Sequence, residues 1–165
     1  TDFLSKKASM TRPETQLKLA LYSSILHLCL GEPSKARKSM KKILGSDKSF
    51  HTLPSYKTAR LVNLLIQAEL GNYDFFANEV SSIKRTISYE KQMYITEKLL
   101  FRFLMAHPLP IYRKDREKLW AQYQKDITRI RQDKYEKQLL KTFDFTAWIE
   151  SKLTNIPFRE ILYSE

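Results

Sequence analysis

The sequence predicts an all-α protein built of antiparallel helix pairs, about eight helices in all, and three observations predict it. The 165 residues hold only three glycines and six prolines, too little turn chemistry for a sandwich or barrel with its closely spaced turns. Apolar residues recur at the three-to-four spacing of helices. Finally, Leu30-Gly31-Glu32-Pro33-Ser34-Lys35-Ala36 and Leu70-Gly71-Asn72-Tyr73-Asp74-Phe75-Phe76 each sit between two apolar helical stretches, 40 residues apart. The same offset pairs Leu21 with Leu61, Ile25 with Leu65, Leu26 with Ile66, Met40 with Val80 and Ile43 with Ile83. Self-similarity of this length is the signature of a helical array.

The elements follow from their boundary residues. Thr11-Arg12-Pro13-Glu14 has an oxygen side chain three residues before a glutamate, the pattern of a capping box, so a first helix is expected over 12–30. Pro33 suits the first turn of a second helix, 33–45, where its missing N–H costs nothing. Pro54 after Thr52 starts a third, 54–70, and the Gly71 turn leads into a fourth, 73–87. Ser88 before Tyr89 marks a fifth, 89–106, and the turn His107-Pro108-Leu109-Pro110 introduces a sixth, 110–132. At about 100° per residue, Tyr112, Leu119, Trp120, Tyr123, Ile127 and Ile130 share the inward face of that helix. Asp133-Lys134-Tyr135-Glu136 repeats the capping-box pattern and opens a seventh, 134–153. The turn Leu153-Thr154-Asn155-Ile156-Pro157-Phe158 leads to a last helix, 157–163. The units are therefore 12–45, 54–87, 89–132 and 134–163, within one domain over 1–165. Thr1 in place of an initial Met suggests a piece of a longer repeat chain.

Gly31 followed by Ala36, Met40 and Ile43, and Gly71 followed by Tyr73, Phe76, Val80 and Ile83, resemble the turn and second helix of a tetratricopeptide repeat. That resemblance implies helix pairs stacked into a right-handed superhelix, an α-solenoid. The period of 40 exceeds the family's usual 34, Phe76 replaces a small residue, and the family's first-helix tryptophan and Leu-Gly pair are absent from their places. The segments Glu69 to Asp74 and Phe143 to Lys152, which holds Trp148, are similar to the C-terminal part of uncharacterised bacterial helical-repeat proteins. This second likeness covers about residues 55–165 and implies no activity.

Composition bounds the function. The formal charge of +11 favours acidic partners without choosing among them. Lys35, Lys38, Lys41 and Lys42 fall on the outer face of the second helix, and Lys114, Lys118, Lys125 and Arg129 form a stripe on the sixth. Both patches could touch phosphates, which supply sequence-independent, salt-sensitive affinity, yet the aromatics sit on apolar faces instead of forming stacking platforms. No apolar run is long enough to span a bilayer and the first residues lack a signal-peptide core, so a cytoplasmic protein with no membrane role is expected. The lone Cys29 lies in an apolar stretch and reads as an inert thiol.

Catalytic patterns lack their context. Ser39-Met40-Lys41-Lys42 and Ser88-Tyr89-Glu90-Lys91 both match S-x-x-K without the further motifs of a penicillin-binding enzyme. Tyr94 and Lys98 have reductase spacing but no glycine-rich phosphate loop. His27, His51 and His107 stand far apart, without ligands at metal spacing. The expectation is therefore a noncatalytic protein-interaction module without cofactor or metal, its acidic protein or peptide partner met by Tyr22, His27, Asn63, Gln67, Lys91 and Arg102. Nucleic-acid binding through the basic faces is the alternative.

Overall fold

The computed structural model describes residues 12–45, 48–90 and 93–163, apart from the side chains of 88–90. Among these residues there are nine α-helices, one short 3-10 turn and no strand. The helices are α1 (Pro13–Cys29), α2 (Pro33–Met40), α3 (Ser55–Glu69), α4 (Phe75–Glu90), α5 (Ile95–Met105), α6 (Arg113–Gln132), α7 (Glu136–Leu140), α8 (Phe145–Thr154) and α9 (Phe158–Tyr163). The chain divides into two compact units, residues 1–75 and 76–165, a division that falls inside the expected unit 54–87.

In the first unit α1, α2 and α3 pack on one another. Leu17 and Leu21 of α1 are buried, as are Ala36 and Met40 of α2, Ile43 beyond it, and Ala59, Leu61, Val62, Leu64, Leu65 and Ile66 of α3. Two small polar residues let α1 and α2 approach closely. Ser24 Oγ donates to the Ala36 carbonyl at 3.0 Å, and Ser23 Oγ lies 3.0 Å from Ser39 Oγ. Pro33 opens α2 as expected, but α2 stops at Met40 and gives way to turns before residue 45. The N-cap of α1 is Arg12, with no capping side chain; Thr11, the expected cap, lies outside the described residues, and Glu14 bonds Lys18 one turn on, at 2.7 Å.

The two glycine turns are the same object built twice. Gly31 and Gly71 have φ of 71° and 73°, the left-handed region that glycine enters without a Cβ penalty. At the first, the N–H groups of Leu30, Gly31 and Glu32 donate to the carbonyls of Leu26, Leu28 and His27. At the second, Leu70, Gly71 and Asn72 donate to Ile66, Ala68 and Gln67. Each bond recurs with a shift of 40, and the side chains follow: Glu32 Oε2 meets His27 Nδ1 at 2.9 Å, and Asn72 Nδ2 donates to Gln67 Oε1 at 2.7 Å.

In the second unit α5 packs on α6, α7 and α8, α6 on α7 and α8, and α8 on α9. Phe103 of α5 is the hub. The rings of His107, Tyr123 and Trp148 each stand edge-on to it, with centroids 5.0, 5.6 and 5.7 Å away, a favoured aromatic geometry. A polar link ties α6 to α8: Arg131 reaches Glu150 at 2.9 Å and Thr146 Oγ1 at 3.1 Å.

Three expected boundaries are corrected. No helix starts at Ser88-Tyr89, because α4 continues to Glu90 on the buried series Phe76, Val80, Ile83, Ile87. The next helix, α5, begins at Ile95, where the Tyr94 N–H donates to Glu97 Oε2 at 3.0 Å. Pro110 is not in the first turn of α6, which starts at Arg113. The expected helix 134–153 is two helices, since Asp144 Oδ1 accepts the Ala147 N–H at 2.9 Å and caps α8 afresh. Asp133 does cap α7, accepting from the N–H groups of Tyr135 and Glu136. Its supposed partner Glu136 turns instead to the start of α5, taking the N–H of Ile95 at 2.7 Å and both the N–H and the hydroxyl of Thr96.

Candidate functional site

The outward face of α1 is apolar. Leu19, Tyr22, Leu26 and Leu30 lie within about 80° on a helical wheel, opposite the buried Leu17, Leu21 and Ser24, and each is between 56 and 63% exposed. On α3, 40 residues on, the corresponding Ala59, Val62 and Ile66 are fully buried. A helix with apolar residues on opposite faces is built to be covered on both, and among the described residues the Leu17, Leu21 and Ser24 face of α1 is the buried one.

Of the residues expected to meet a partner, Tyr22 belongs to this stripe. His27 is held by Glu32 in the Gly31 turn, whose carboxyl Lys35 and His27 keep below the usual range. Asn63 is buried and accepts from Gln67, and Gln67 in turn accepts from Asn72 in the Gly71 turn. Arg102, in the second unit, pairs with Asp126 at 2.7 Å and lies over the Tyr123 ring. Lys91 lies outside the described residues. Of the turn residues, Ala36 and Trp148 are buried, Tyr73 is partly exposed, and Pro157 caps α9 through its carbonyl.

The α2 patch is exposed at Lys35, Lys38, Lys41 and Lys42. Lys35 is drawn to Glu32 at 2.7 Å. Arg37, missed in the sequence although it shares the outer face, is exposed as well. Among the described residues no carboxylate is within ion-pair reach of Arg37, Lys38, Lys41 or Lys42. On α6, Lys114, Lys118, Lys125 and Arg129 are exposed as expected, with Lys118 3.9 Å from Asp115.

The N-terminal half of α6 departs from expectation. Tyr123, Ile127 and Ile130 are buried, Leu119 and Trp120 are half-buried, and Tyr112 is 76% exposed. It stands at the N-cap, before the helix wheel applies. Here α6 and the end of α8 border a groove of about 550 Å³. Ile111, Trp120 and Leu153 supply its apolar surface, Arg113, Arg116 and Glu117 its charges, and Thr154 and Asn155 its far wall.

No family model, curated protein or solved structure matches this chain. Its chemistry is therefore read from its own residues. Among the described residues no three potential ligands gather as a metal site would require, and no helix is long and apolar enough to cross a membrane. Ser39 of the first S-x-x-K match is engaged by Ser23 and the Lys35 carbonyl; the side chain of Ser88 in the second is not described. Tyr94 stacks on Tyr135 at 4.7 Å. Burial first, then the Tyr135 hydroxyl and the charges of Tyr135, Glu97 and Glu136, push its phenol up to about 12, away from useful proton transfer at neutral pH. Burial likewise raises the Cys29 thiol, which disfavours the nucleophilic thiolate.

Proposed function

We propose that this chain is a noncatalytic interaction module of the tetratricopeptide-like kind, acting in the cytoplasm and docking a helix of an acidic protein on the outer face of α1. The observation that carries this reading is the contrast between Leu19, Tyr22 and Leu26, exposed on α1, and Ala59, Val62 and Ile66, buried on α3. The two faces correspond residue for residue at the shift of 40 seen in the glycine turns. On α3 this face is hidden from solvent in a packing that includes α1 and α2, so on α1 it suits a helix partner. A second copy of the chain is a poor occupant, because each brings a charge of +11 and like charges repel across an interface. The period of 40, together with the repeated bond pattern, supports stacked pairs wound as a right-handed superhelix.

The test is cross-linked affinity capture with the wild-type chain and with the double variant Leu19→Glu/Leu26→Glu, both checked for equal helix content. An acidic protein recovered by the first and lost from the second supports the reading. Identical recoveries from both would sink it.

The cluster Arg37, Lys38, Lys41 and Lys42, without a carboxylate partner among the described residues, supports a second reading, contact with nucleic-acid backbone. Its mark would be an affinity that falls steeply with salt and weakens in Lys38→Glu/Lys42→Glu. Absence of any shift of single- or double-stranded probes at low salt eliminates it.

A further inference from the structure

We infer that the groove between α6 and the end of α8 is a second binding site, separate from the α1 face, and that it takes a short acidic peptide segment with an apolar anchor side chain. Its two guanidinium groups are each tethered through Nε alone. Arg113 Nε donates to Glu117 Oε1 at 2.8 Å, and Arg116 Nε to the Pro110 carbonyl at 2.7 Å. The Arg116 contact steadies its planar fork against the Pro110 loop, while the Nη groups of both arginines meet no acceptor among the described residues. Guanidinium forks of this kind bind carboxylates through paired hydrogen bonds. Glu117 opposes an anion, but its bond to Arg113 is solvent-exposed, and exposed ion pairs are weak enough to be exchanged.

Between these charges lies apolar surface that a bare phosphate would leave wet. Trp120 is half-buried, Leu153 is buried and Ile111 is 88% exposed at the mouth. The volume falls within the range of about 300–1,000 Å³ typical of ligand clefts. The far wall is formed by Thr154 and Asn155. Asn155 takes the left-handed conformation, φ 61°, as Gly31 and Gly71 do. The Ile156 N–H goes to Thr154 Oγ1 at 3.4 Å. Guanidinium forks beside an apolar floor of Trp120 and Leu153 describe an acidic peptide with an apolar side chain better than a nucleic-acid strand.

The probe is the hexapeptide acetyl-Asp-Glu-Leu-Phe-Glu-Asp amide, titrated into the ¹⁵N-labelled chain. Saturable shifts of the Trp120 indole N–H and of residues 111–120 and 153–155 are expected. The Asn/Gln counterpart of the peptide should bind about tenfold more weakly, as should the acidic peptide to Arg116→Gln, one charge-assisted contact being lost in each comparison. Arg113→Gln, at a fully solvated position, gives the same direction should Arg116→Gln disturb the Pro110 loop. Leu26→Glu leaves these shifts unchanged, so failure of the α1 reading and failure of this one are distinguishable. The proposal is overturned if the acidic peptide moves none of these signals up to about 1 mM, or if the neutral peptide binds equally well. Inorganic phosphate or oligothymidylate reproducing the shifts at equal affinity would also overturn it, in favour of a plain oxyanion seat.

Discussion

The carboxylate of Glu136 accepts the Ile95 N–H at 2.7 Å across 41 residues of chain. With its second oxygen on the N–H and hydroxyl of Thr96, it closes the start of α5 in place of a local cap. Glu136 is buried to 3% exposure, so its loss leaves donors in a dry place. Glu136→Ala should destabilise the second unit by about 2 kcal/mol, read from urea unfolding, and Glu136→Gln by less because an acceptor oxygen remains. A neutral Glu136→Ala would show that α5 is capped by something else.

The turns at Gly31 and Gly71 should respond alike. A Cβ added at either meets nothing within 4 Å, so the penalty is that of the left-handed backbone alone. Gly31→Ala and Gly71→Ala should each cost about 1–2 kcal/mol, with Asn in either place costing less. The reverse experiment is Asn155→Gly, expected neutral to slightly stabilising by thermal melt, whereas Asn155→Val should destabilise.

Phe103 is fully buried and meets three rings. Its truncation to Ala should cost about 3–5 kcal/mol, and substitution by Leu less. Equal stability of wild type and Phe103→Ala in chemical denaturation would remove it from the centre of the core.

The phenol of Tyr94 ionises late, at about 12 against an ordinary 10.0. In that window the folded chain keeps a proton that the unfolded chain has released, so stability falls as pH rises from about 10 to about 12. Phenolate absorbance of wild type minus Tyr94→Phe should isolate the late step, and Glu136→Gln should move it down by removing one of the charges that raises it. A difference spectrum with an ordinary midpoint would refute the assignment.

What could be read from the sequence was local. Gly31 and Gly71 revealed themselves because a left-handed helix end and its hydrogen bonds involve six or seven consecutive residues, and Pro33 because its cost depends only on its place in the first turn. The start of α5 could not be read, since its cap comes from Glu136, and Ser88-Tyr89 offered a plausible local substitute. Asp144, three residues before Ala147, was a legible start for α8, hidden inside what looked like one long helix. Arg37 was on the page too, on the outer face with its lysine neighbours. The groove was not, because Trp120 and Leu153 meet only through the packing of α6 on α8. Periodicity could say that α1 has apolar residues around its circumference; which of them remain in water is decided by helices elsewhere.

That circumference has a practical side. At about 0.01 M salt the field of a +11 molecule reaches about 30 Å into solution, and at about 1 M only about 3 Å. Low ionic strength therefore holds the molecules apart, and added salt lets Leu19, Tyr22, Leu26 and Leu30 of neighbouring molecules approach. The same salt that would strip a polyanion from the α2 cations thus also weakens the repulsion that keeps copies of the chain apart.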